Sequence, residues 1–169
     1  MQRFLYFFLS VVFLVFPAWA DRGRDVIGHV TVSVIHASND EVEDNMKQFK
    51  SVDEETRARL IKDPRLKFAH YRQLGSDTKP LYRSYENWAQ PLPPSDEILL
   101  RFEAQARPSK DVTRLDLELW LSRKKILKSG AALSENTPMF VLGPEWRQGR
   151  MILIITLAPL ASPMRYSEK

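Results

Sequence analysis

The chain has 169 residues, a formal net charge of +4 and no cysteine. Disulfides, thiol chemistry and lipid attachment through a cysteine are excluded, and a small, well-mixed excess of positive charge speaks against a nucleic-acid partner. The length suits one domain with a substantial core.

Residues 1–20 read as a cleaved signal peptide. Arg3 supplies the positive end, Phe4 to Phe16 the apolar run and Ala18-Trp19-Ala20 the processing site. An uncleaved membrane anchor is the alternative, and no later stretch is apolar enough to span a bilayer. An exported domain without disulfides points to the periplasm or secretion from a bacterium.

His29 to Ile35 alternates, with Val30, Val32 and Val34 on one side, and reads as a half-buried strand ending at His36. Ser38, Asn39 and Asp40 offer helix caps, and Val42, Met46 and Phe49 share a helical face. Asp53 caps a second short helix anchored by Leu60 and Ile61, so a helical insertion is expected near residues 40–62. Asp63-Pro64 closes it. Leu66 to Leu74 and Leu81 to Trp88 read as extended stretches, with a turn at Gly75-Ser76-Asp77 between them.

Beyond Pro91, Pro93 and Pro94 the pattern sharpens. Ile98, Leu100, Phe102 and Ala104 share one face of a strand, and Leu115, Leu117, Leu119 and Leu121 share one face of the next, which makes a hairpin. Lys125 to Lys128 reads as a short strand, and Ala131 to Asn136 as a loop or brief strand. Met139 to Leu142 and Met151 to Leu157 form the last hairpin, with Gly143 and Gly149 supplying the tight dihedrals of its connection. The second of these runs is apolar on both parities, so it is expected to lie centrally, covered on both faces. Residues 159–169 read as a polar tail.

This amounts to a mainly-β antiparallel sandwich or partly open barrel of about seven strands, residues 26–158, with the helical segment packed at one side. Chemistry-bearing patterns are sparse. His29, His36 and His70 lack metal-ligand spacing, no serine sits in a nucleophile context, and nothing requires a cofactor. The acids Asp40, Glu41, Glu43 and Asp44 fit helix-start electrostatics better than a calcium loop. Asp116 and Glu118 fit cross-strand ion pairing.

The remaining candidates are contact residues. Arg147 and Arg150, with the basic group Arg123 to Lys128, could meet an anionic surface or could simply protect an edge strand. Trp88, Trp120 and Trp146 could anchor a partner or stack on sugar, with packing against the helical segment as the plain account of Trp120. His36 is the histidine placed at a strand end. The expectation is a non-catalytic structural or accessory protein of an envelope complex acting through protein–protein contacts, with self-association through an exposed edge strand open to it. A carbohydrate or cell-wall binding domain is the alternative, and a hydrolase built from distant residues a lesser one.

Overall fold

The computed structural model describes residues 21–41, 44–109 and 111–160. The expected leader, Val42, and residues 161–169 of the expected tail lie outside the described residues. The described residues form nine strands: β1 (Val26–Ser38), β2 (Lys50–Ser51), β3 (His70–Tyr82), β4 (Asn87–Ala89), β5 (Ile98–Ser109), β6 (Val112–Leu121), β7 (Lys124–Ser134), β8 (Met139–Trp146) and β9 (Gly149–Ala158). They build one sheet in the order β2-β3-β1-β9-β8 and a second in the order β4-β5-β6-β7. Every ladder is antiparallel. Neither sheet closes on itself, so the architecture is an open sandwich.

Strand periodicity explains the main core. Val30, Val32 and Val34 lie opposite Leu157, Ile155 and Leu153 in register, so both strands turn these side chains to the same face. They meet Ile98, Leu100, Phe102, Leu115, Leu117 and Leu119 of the second sheet, all almost fully buried. Burial of side chains this size contributes about 1.5–3 kcal/mol each.

The other parity of β1 and β9 meets the helical insertion. Ile35, Ala37 and Ile152 pack with Leu60, Leu66 and Tyr71 in a second, smaller core on the outer face of the five-stranded sheet. This layer consists of α1 (Asp44–Lys47), α2 (Glu54–Leu60) and a 3-10 turn at Pro64–Leu66. Asp53 caps α2 through the backbone N–H of Thr56 at 2.8 Å, as its position predicts. The buried Tyr71 hydroxyl donates to the Leu66 carbonyl at 2.9 Å and accepts from the Phe68 N–H at 2.8 Å, which fixes the insertion to β3. Among the described residues no helix is long and apolar enough to cross a membrane.

Several expectations are revised. Met151 to Leu157 is an interior strand with two covered faces, but the middle of its sheet is β1. Gly75-Ser76-Asp77 is not a turn: β3 runs straight through it, with a bulge opposite Val34 and Ile35. Glycine is required at position 75 because a Cβ there would stand 2.0 Å from the Pro91 carbonyl oxygen. The proline-rich loop thus lies directly on β3, and Asp77 accepts the Gln90 N–H at 2.8 Å to hold it there. Residues 124–134 form one continuous edge strand rather than a short strand and a loop. Ile61 is 42% exposed and leaves Leu60 as the anchor of α2. β1 continues past His36 to Ser38.

Candidate functional site

Three surfaces collect the chemistry-bearing residues. The first is the sandwich end formed by the β8–β9 turn. That turn has two central residues, Arg147 and Gln148, with φ of 50° and 59°. Positive φ at both positions is the geometry that matches hairpin twist. No glycine among the described residues has positive φ, so Gly143 and Gly149 do not serve the turn as expected. Gly149 serves packing instead: a Cβ there would stand 2.4 Å from His36 Nε2 and 2.6 Å from the Ala37 carbonyl oxygen.

The ring of Trp146, 9% exposed, belongs to the sandwich core. Its indole N–H donates to Glu97 Oε1 at 2.7 Å, and the Arg147 guanidinium donates to Glu97 Oε2 at 2.6 Å while lying 4.2 Å over the same indole ring. His36 Nε2 hydrogen-bonds the Arg147 carbonyl oxygen at 2.9 Å and its ring sits 6.5 Å from that of Trp146. One carboxylate from the start of β5 therefore clasps the turn of the opposite sheet. This corrects the expectation of Trp146 as a loop-borne contact anchor: both its ring and its N–H are already engaged.

Beside this clasp lies an open cleft of about 670 Å³, lined by Asp40, Arg65, Phe68, Glu145, Arg147 and Arg150 among others. Its cations are paired: Arg65 with Asp63 at 2.7 Å, Arg147 with Glu97, and Arg150 with Glu145 at 3.8 Å. The arginine at position 65 holds the Asp63 carboxyl below the usual carboxylate range by hydrogen bonding. Such a cleft has mixed polarity and presents no concentrated positive charge. Among the described residues, no group of three or more His, Asp or Glu is arranged to hold a metal ion.

The second surface is the outer face of the four-stranded sheet. Trp88 lies opposite Arg101, Arg101 opposite Glu118, and Trp120 opposite Leu99, so all these side chains share one face. The register sets Trp88 and Trp120 diagonally across β5, with ring centroids 6.0 Å apart and planes at 54°. Trp120 therefore does not pack against the helical segment, which covers the other sheet. Arg101 bonds Glu86 and donates to Glu103 at 2.7 Å. Glu118, 6% exposed, accepts from Lys125 at 3.1 Å and from the Trp120 indole N–H at 3.3 Å. The Lys125 bond holds Glu118 below the ordinary carboxylate range despite burial, with the Trp120 N–H adding to it. Glu86 is lowered likewise, first by Arg101 and then by Trp88.

The basic residues grouped by sequence divide here. Lys125 and Lys128 turn to Glu118 and Asp116, Arg123 reaches Asp96 at 3.5 Å, and Arg147 and Arg150 stay at the cleft. β7 is indeed an edge strand carrying lysines.

The third surface is the flank between the free edges of β7 and β8. A hollow of about 340 Å³ opens there, its wall mostly apolar (Leu66, Leu117, Leu127, Met139, Phe140 and Leu142) with the Asp63–Arg65 ion pair and Ser129 also lining it. Leu127 lies opposite Leu119 and so faces the sandwich interior, yet it is 37% exposed because no strand covers it. Sequence reasoning missed this hollow, although the uncharged run Met139 to Gly143 was its visible signal. Glu97 was missed as well, since nothing local marks its bonds across the sandwich.

The chain matches no family model, no curated protein and no solved structure.

Proposed function

We propose that this chain is a non-catalytic accessory protein of a bacterial envelope assembly, acting through protein–protein contacts at the open flank of its sandwich. The supporting observation is the β8 edge. It is the last strand of its sheet, carries no charge from Met139 to Gly143, and borders the apolar hollow. Natural sheets blunt free edges with lysine, proline or bulges. β7 carries Lys124, Lys125 and Lys128, whereas β8 has no such residue before Pro144. An extended segment of a partner would pair with the β8 backbone and place alternate side chains into the hollow beside Leu117 and Leu127. The export pattern over residues 1–20 supports an envelope location for this contact.

The test is a photo-crosslinking side chain placed at Leu127, activated in intact cells of the native host. One discrete adduct is expected from Leu127 and none from Thr78, an exposed residue of β3. Phe140→Asp, or Met139→Lys, combined with that crosslinker should remove the adduct while the protein stays folded. Monomer alone from Leu127, or equal adducts from Thr78, would refute the reading.

A further inference from the structure

The strands on either side of β5 carry the same short pattern. Glu86-Asn87-Trp88 leads into β4 and Glu118-Leu119-Trp120 lies in β6. In each, the glutamate accepts from the indole N–H two residues on, at 3.4 Å for Trp88 and 3.3 Å for Trp120. Between them Arg101 of β5 bridges the acids Glu86, Glu103 and Asp116. Both rings are only partly buried, and the helical layer packs on the other sheet, leaving this face open.

We propose that this face is a binding platform for an uncharged pyranose chain. Trp88 and Trp120 stack beneath the sugar rings, Glu86, Arg101 and Lys125 hydrogen-bond the hydroxyls around them, and the buried Glu118 orients Lys125 and Trp120.

The chemistry follows from what a pyranose presents: apolar C–H faces above and below, and a rim of hydroxyls that both donate and accept. An indole whose N–H is held by a carboxylate has its ring plane fixed before a ligand arrives, so little rotamer entropy is lost on stacking. Two such rings side by side make a surface longer than one residue needs, which favours a chain over a monosaccharide. The polar groups are already in ion pairs, Lys125 with Glu118 and Arg101 with Glu86 and Glu103. The Arg101–Glu86 pair offers a donor and an acceptor side by side, in the spacing that adjacent hydroxyls use. Charge does not favour a polyanion: Glu86, Glu103, Asp116 and Glu118 are matched by Arg101, Arg114, Lys125 and Lys128 on this face, so an anionic polymer meets no net attraction. Lys125 Nζ lies over one face of the Trp120 ring, 5.3 Å from its centre, so stacking on that face requires the flexible lysine arm to move aside. The platform lies away from the β7–β8 hollow and does not depend on the protein contact proposed there.

The test is affinity electrophoresis of the full chain in native gels containing hydroxyethylcellulose or glycol chitin, with dextran sulfate as the charged control. Titration calorimetry with cellohexaose and chitohexaose then gives the affinity. Retardation is expected in at least one neutral gel and not in dextran sulfate. Trp88→Ala and Trp120→Ala should each weaken binding by about tenfold or more, about 1.4 kcal/mol, because each removes an aromatic stack. Thr78→Ala, on the exposed face of β3 in the other sheet, should bind as the wild type. Should Trp120→Ala fail to fold, Trp88→Ala on the three-residue strand β4 decides the matter. Mobility unchanged in both neutral gels overturns the proposal. So does retardation by dextran sulfate alone, or undiminished binding in the tryptophan variants.

Discussion

Replacing Gly149 by alanine isolates a single close approach. The added Cβ would stand 2.4 Å from His36 Nε2, 2.7 Å from His36 Cε1 and 2.6 Å from the Ala37 carbonyl oxygen. The imidazole could swing away only by giving up its 2.9 Å bond to the Arg147 carbonyl oxygen, and it is held in a site where it is 7% exposed. The carbonyl cannot yield easily either, because Ala37 is paired with Arg150 in the β1–β9 ladder. Overpacking of this kind costs about 1–3 kcal/mol, and loss of one part-buried hydrogen bond adds about 1 kcal/mol. The expected destabilisation is therefore about 2–4 kcal/mol, read from the urea midpoint at unchanged slope. Gly130→Ala is the matched control. It lies in edge strand β7 with nothing within 4 Å of the new Cβ, so it should be neutral or stabilising by up to about 1 kcal/mol. If Gly149→Ala unfolds within 0.5 kcal/mol of the wild type, on the same scale as an ordinary surface change, the close-packing argument fails.

Two further predictions concern the helical layer. Tyr71→Phe should cost about 1–3 kcal/mol by leaving the Leu66 carbonyl and Phe68 N–H without their partner, and hydrogen exchange should quicken at Phe68 before it does in β9. Asp53→Ala should cost about 1 kcal/mol at neutral pH as a lost helix cap. The Thr56 N–H and hydroxyl lower the folded-state pKa of Asp53 below its unfolded value. Its contribution is thus full above the unfolded value of about 3.9 and fades as pH falls through the lowered folded one. The wild-type and Asp53→Ala unfolding curves should therefore converge in strong acid, and a gap that widens on acidification would contradict the cap assignment.

How much was legible in the sequence depended on whether a strand had one wet face and one dry one. β5 and β6 do, over Ile98 to Phe102 and Leu115 to Leu119, and their pairing followed directly from period two. β3 does not: Gly75-Ser76-Asp77 carries turn chemistry, but the glycine is there for the Pro91 backbone that lies on it. β7 hid for the opposite reason, since nearly every side chain from Lys124 to Gly130 is exposed and the strand has almost no buried stripe to count. The β8–β9 turn uses Arg147 and Gln148 where Asn-Gly would have announced it, so the strands looked shorter and Trp146 looked like loop. The pairing of Trp88 with Trp120 required the register across β5, which neither strand encodes alone.

Among the described residues the pairing of β1 with β9 joins the first strand to the last, with Val32 set against Ile155. During synthesis the meander β5-β6-β7 has its partners at hand, while β1, paired early with β3, waits for its second neighbour. Until Met151 to Leu157 emerges, the valines of β1 lack that neighbour and the sandwich core lacks Met151, Leu153, Ile155 and Leu157. Contacts this distant in sequence form slowly, because the intervening loop must close first. A chain of this topology cannot complete its larger sheet until residues 149–158 have been made, so its first long strand stays one neighbour short for more than a hundred residues of synthesis.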